Sequence, residues 1–186
     1  MLTSPKLPQG LFFSATEELI NTAFTSLRGF NITYDAGTFI EEKWAHTGGQ
    51  NLAIRAREAA SLSGSQKIGD TIQAQASEKL KMNGKRSATT VVMGTTGKLT
   101  QTAQDKTTTQ QTVLRGQDAD LAGELEQDQV LDAEFTGHLE QKSTNITKGG
   151  VVKFKAATAR LNGTFKGNNH VAAEATEGDV TLDKDL

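Results

Sequence analysis

The chain has 186 residues, a net charge of −2 and 35% hydrophobic residues, with one Trp and one Tyr. That supply of large apolar groups is too thin for one compact core of this length, and the interspersed charge argues against a dedicated nucleic-acid surface. The absence of cysteine excludes disulfides, thiolate chemistry and Cys-ligated zinc, and no apolar run approaches the roughly 18 residues of a membrane span.

Met1 to Ala15 carries one Lys and a short apolar patch broken by Pro8 and Gln9, which makes a poor signal peptide. The targeting signal of a secreted parent is therefore expected outside this chain. Ser14-Ala15-Thr16-Glu17 fits a capping box. Residues 14–24 read either as a short helix shielding the end of a sheet or as strand.

From there an alternating ladder recurs about every twenty positions. Its rungs are Phe12-Ser14-Thr16, Ile32-Tyr34-Ala36, Leu52-Ile54-Ala56, Ile72-Ala74-Ala76 and Val92-Gly94-Thr96. Thr112-Leu114-Gly116, Leu131-Ala133-Phe135, Val152-Phe154-Ala156 and Val171-Ala173-Ala175 follow. Period two marks strands with one buried face, and a fixed repeat of this length marks a solenoid. The first rung is usually large and the third mostly small, as a narrow interior with tight corners requires. Nine coils stacked at strand spacing would span on the order of 40 Å.

A second ladder follows in several coils, at Leu62-Gly64, Met82-Gly84, Leu121-Gly123 and Leu161-Gly163, where Gly frees the backbone to bend. Ser65-Gln66-Lys67, Lys85-Arg86-Ser87 and Lys166-Gly167-Asn168-Asn169 then read as turns. Thr102 and Gln104 replace the second ladder between Thr100 and Gln110, and near Gln141 it is missing. Register is expected to be weakest in those two coils. Arg55 to Leu62 and Ser77 to Met82 have moderate helix propensity, which the repeat overrides.

The search for chemistry returns little. His46, His138 and His170 fall at different phases of the coil and do not stack into a metal site. No Gly-x-Ser-x-Gly elbow is present. The acidic run Asp118, Asp120, Glu124, Glu126, Asp128, Asp132 and Glu134 lacks the spacing of a calcium loop and reads as solvated surface. In a polysaccharide lyase, Asp118 or Asp120 would meet Asp132 or Glu134 on one face. The basic run Lys79, Lys81, Lys85 and Arg86 likewise reads as solvated. The sequons at Asn31, Asn145 and Asn162 read as turn and strand residues rather than glycan acceptors. No catalytic, cofactor-binding or metal-binding residue is assigned.

Leu62-Ser63-Gly64-Ser65-Gln66 after Leu52-Ala53-Ile54-Arg55-Ala56, and Lys81-Met82-Asn83-Gly84 after Ile72-Gln73-Ala74-Gln75-Ala76, resemble filamentous-haemagglutinin repeats. The resemblance covers roughly residues 30–186 and implies an all-β, right-handed parallel β-helix (β-solenoid) with coils of about 20 residues, with residues 1–29 as an N-terminal coil or capping segment. Such repeats form shafts of exoproteins secreted by the two-partner pathway, among them adhesins and contact-dependent growth-inhibition effectors. The family's Asn-Pro secretion motifs and its Val-Glu-Asn-Asn motif are absent, and the ladder still runs at Val171-Ala173-Ala175. The expectation is therefore an internal shaft fragment or a small relative of one.

That reading expects a structural, non-enzymatic segment at the bacterial cell surface, serving adhesion or toxin delivery. Its expected partners are an outer-membrane transporter, a target-cell receptor and other copies meeting at exposed end coils, with no nucleic acid and no cofactor. The alternative is a glycan-binding or glycan-cleaving β-helix, for which aromatics are scarce beyond Tyr34 and Trp44.

Overall fold

A computed structural model describes residues 10–22, 26–167 and 170–183. Every regular element among them is a strand, and all strand pairs are parallel. The strands form a parallel β-helix of about eight turns. Each coil contributes one long strand of up to 12 residues, such as Ser65–Ala76, to an 11-stranded sheet. A short strand such as Lys79–Met82 then joins a nine-stranded sheet. The register of the long strands shifts near Gln50, between Lys67 and Thr71, and near Gln110.

The interior consists of stacked columns. Leu11, Ile32, Leu52, Ile72, Val91, Thr112, Leu131, Val152 and Val171 form one. Leu19, Phe39, Ala60, Leu80, Leu99, Ala119, Leu139, Ala159 and Val180 form another on the short strands. Because like sits on like, each coil buries few side chains, and ladder hydrogen bonds carry much of the order. A sparse apolar composition is therefore enough.

Seven of the nine expected ladders have the correct phase, and two do not. Leu11 and Phe13 align with buried Ile32 and Tyr34, so Phe12, 68% exposed, faces out. Val91, Met93 and Thr95 are buried, whereas Val92, Gly94 and Thr96 are not. The cause is coil length: Val91 follows Ile72 by 19 positions and precedes Thr112 by 21. A strict twenty-residue ruler therefore slips by one there, which in a strand exchanges the faces.

Two other expectations are corrected. The helical option for residues 14–24 fails within the described part, because Glu18–Asn21 is strand and pairs with Thr38–Glu41; residues 23–25 lie outside the described residues. This first coil stacks on the same two sheets as the rest. Ser65-Gln66-Lys67 and Lys85-Arg86-Ser87 open long strands rather than forming turns, because Gln66 and Arg86 point inward and are buried. Lys166 ends a strand and Gly167 follows it at φ 63°, while residues 168 and 169 lie outside the described residues.

At Gly149 and Gly150 the long strand divides into Ile146–Lys148 and Val151–Ala156, with φ of 70° and 62°. Side-chain-bearing residues rarely adopt that backbone. A Cβ there would also approach the carbonyl oxygens of Gln127 and Gln129 to 2.6 and 2.5 Å.

Candidate functional site

The two coils that lack the second apolar ladder are built on a distinct corner, and their long strands carry a register shift between Thr109 and Gln111 and a division at Gly149 and Gly150. Where Leu62 reaches Ser65 in three steps, Glu41, Gln101 and Gln141 reach the equivalent strand starts His46, Lys106 and Ile146 in five. Each longer corner closes with the same turn, in which the amides of Ala45, Asp105 and Asn145 donate to the carbonyls of Glu42, Thr102 and Lys142. Glu41, Gln101 and Gln141 are buried where shorter corners place Leu62, Met82, Leu121 and Leu161. Thr102 is half-buried and Gln104 exposed. Gln101, Asp105 and Thr107 take the inward places.

These corners join into a buried polar column. The Glu41 carboxylate accepts from the Gly64 amide at 3.1 Å, Gln66 at 2.9 Å and Thr47 at 3.4 Å. Gln66 in turn accepts from Arg86 Nε at 3.4 Å. Arg86 Nη1 donates to Asp105 at 2.5 Å and to Thr107 at 3.1 Å. Asp105 accepts from Gln101 at 2.9 Å, and Asn145 reaches back to Gln101 at 3.3 Å. Gln141 donates to Asn145 at 2.7 Å and accepts from the Gly163 amide at 3.3 Å. Asn21, donating to Thr47 at 3.4 Å, starts the series.

The column explains glycines that strand propensity disfavours. A Cβ at Gly64 would lie 2.8 Å from the Glu41 carboxyl carbon, and one at Gly163 would lie 2.5 Å from the Gln141 carboxamide carbon. The polar side chain of a long corner occupies the place a Cβ would take on the next coil.

Three ionisable groups are enclosed here, one cation and two acids. The Arg86–Asp105 pair is wholly excluded from solvent. Burial pushes the Glu41 carboxyl up to about 7, against the opposing charge of Arg86 and the hydrogen bonds from Gly64, Gln66 and Thr47. With Asp105 balancing Arg86, a proton on Glu41 leaves the interior neutral. The chemistry open to these enclosed groups is proton binding and selection of register.

Arg86 thus departs from its solvated reading, whereas Lys79, Lys81 and Lys85 are exposed as expected. The recurring spacing Glu/Gln, then Ala/Asp/Asn four later, then Thr six later, at 41, 101 and 141, was the sequence signal for this column.

The carboxylates of the lyase alternative do not converge. Asp118 and Asp120 lie in the nine-stranded sheet, and Asp132 and Glu134 in the 11-stranded sheet. Asp120 pairs with Lys98 at 2.7 Å, Asp132 with Arg115 at 2.5 Å, and Glu134 with Lys155 at 3.4 Å. Asp118 accepts the His138 amide at 2.7 Å. Tyr34 is buried between Phe13 and Phe39, while Trp44 is 61% exposed in the first long corner, with Lys43 over its ring. His46, His138 and His170 open strands in three separate places. The sequon residue Asn145 is part of the buried column. No cluster of metal-ligating side chains occurs among the described residues, and no helix there is long and apolar enough to cross a membrane.

Comparison with protein-family models, with curated proteins and with solved structures returned no match. Fold and interior define the class as a β-solenoid whose coils are pinned along one inner corner by polar side chains.

Proposed function

We propose that this chain is a shaft segment of a large secreted bacterial exoprotein, serving adhesion or toxin delivery to neighbouring cells. The observation that carries this reading is the unbroken parallel stacking of both sheets. Such stacking converts each short repeat into length and a repetitive outer surface. The haemagglutinin-like repeats point the same way. An outer-membrane transporter would act on the parent protein, a target-cell receptor would meet the outer faces, and other copies would associate through whichever end coil is left uncovered.

The test is secretion. Fused behind a two-partner secretion domain and expressed with its transporter, the chain should become accessible to external protease on intact cells. Retention of the folded chain in the periplasm, with the secretion domain alone exported normally, would count against this role.

A further inference from the structure

On the outer surface of the early coils lies a cleft of roughly 770 Å³, whose lining includes Arg28, His46, Gly48, Lys67 and Gly69. Register creates it. Arg28, Gly48 and Lys67 are successive neighbours in one column, with His46 and Ser65 in the column beside it. Gly48 carries no side chain, so a gap one strand wide opens between two cations about 10 Å apart along the axis. A Cβ at Gly48 would meet only ordinary contacts, the nearest 3.7 Å away, and its φ is not positive. Packing does not demand glycine there, although glycine weakens a strand.

Lys98, Lys106, Arg115, Lys148, Lys155 and Arg160 each pair with a carboxylate. The cations of the cleft, Arg28, His46 and Lys67, like Lys79, Lys81 and Lys85, are not neutralised by ion pairs among the described residues. Further along, the column of Arg28 and Lys67 reads Ser87, Thr108 and Glu126, while the column of His46 and Ser65 continues through Lys85 and Lys106 and ends at Glu124.

We propose that this cleft docks an acidic, uronate-bearing polysaccharide lying along the solenoid axis. Its sugar backbone sits over Gly48, and its carboxylates meet Arg28 and Lys67. A guanidinium fork suits a carboxylate. Two cations with a gap between them can meet alternate carboxylates of a uronate chain, leaving the intervening sugar over the gap. Carboxylates held by charge need no stacked ring, whereas a single-stranded nucleic acid would call for large aromatic side chains under its bases, and no Phe, Tyr or Trp lines the cleft. The proposal deepens the adhesive-shaft reading by naming the partner's chemistry, and rests on it for where such a polymer is met.

Titration calorimetry of the full chain with alginate oligosaccharides, neutral dextran, dextran sulfate and single-stranded DNA tests it. Binding to alginate is expected, weakened about tenfold or more by Arg28→Ala with Lys67→Ala and unchanged by Lys79→Ala with Lys81→Ala. Gly48→Val, which fills the gap and keeps both cations, should weaken binding similarly without lowering the melting temperature. Equal binding by all variants, preference for dextran sulfate or DNA, or no binding to alginate would overturn the proposal. An intact rod by scattering that binds nothing would defeat the docking site alone, whereas failed secretion with alginate binding intact would defeat the shaft reading alone.

Discussion

Arg86 and Asp105 face each other across neighbouring coils at 2.5 Å with both side chains fully excluded from solvent. Each satisfies the other, so the single substitutions Arg86→Met and Asp105→Leu should each destabilise the fold by about 3–5 kcal/mol. The double substitution should recover much of that loss, because no uncompensated charge is left inside. Urea unfolding of the four proteins reads the coupling directly; strictly additive losses would show that the pair is not coupled.

Glu41 should make folding take up a proton. Its folded value of about 7 lies above the ordinary carboxylate value of 4.5. Its contribution is therefore fully present below pH 4.5 and is lost as pH rises through 7, by about 3 kcal/mol at most. The groups facing it are Thr47, the Gly64 amide, Gln66 and the Arg86 charge. Stability of wild type relative to Glu41→Gln should fall across that window and be flat above it. A flat difference from pH 4 to 8 would refute the linkage.

Glycines on short corners should differ sharply from those on open faces. Gly163→Ala would press a methyl against Gln141, whereas a Cβ at Gly94 meets nothing within 4 Å. Gly163→Ala should cost on the order of 1–3 kcal/mol, and Gly94→Ala should be neutral or mildly stabilising. Thermal melts distinguish them, and equal effects would argue against the corner packing.

Aspartate substitution tests the faces. At Ile54, Ile72 or Phe154 it places a charge among fully or almost fully buried side chains and should cost several kcal/mol. At exposed Arg55 or Gln73 it should be nearly silent. The decisive comparison is Val91→Asp against Val92→Asp, where only the former should unfold the protein; the reverse would restore the twenty-residue ruler.

Coil deletion tests the repeat as a unit. Removing residues 52–71 joins Asn51 to Ile72, which already occupies the register position of Leu52 one coil on. That protein should fold into a shorter rod by small-angle scattering. Removing residues 52–61 should abolish cooperative unfolding, because the strand stacks no longer align.

The parallel stack, its approximate period and the inward residues of seven ladders were legible because apolar alternation is a local property of the chain. Leu52-Ile54-Ala56 announces a buried face whatever its neighbours do. The phase of Leu11 and Val91 was not, because a coil of 19 or 21 residues keeps its register through pairing with adjacent coils. The polar column was hidden for a related reason. Glu41, Arg86, Asp105 and Gln141 are residues that water normally holds, and lone occurrences read as surface. Only stacking brings Arg86 to Asp105, from 19 positions away, and Gln101 to Asn145, from 44. The sequence alone determined that this chain coils, because alternation needs only the pleat of a strand. The tertiary structure decided which polar groups lie inside, because burying charge is affordable only where partners from other coils meet it.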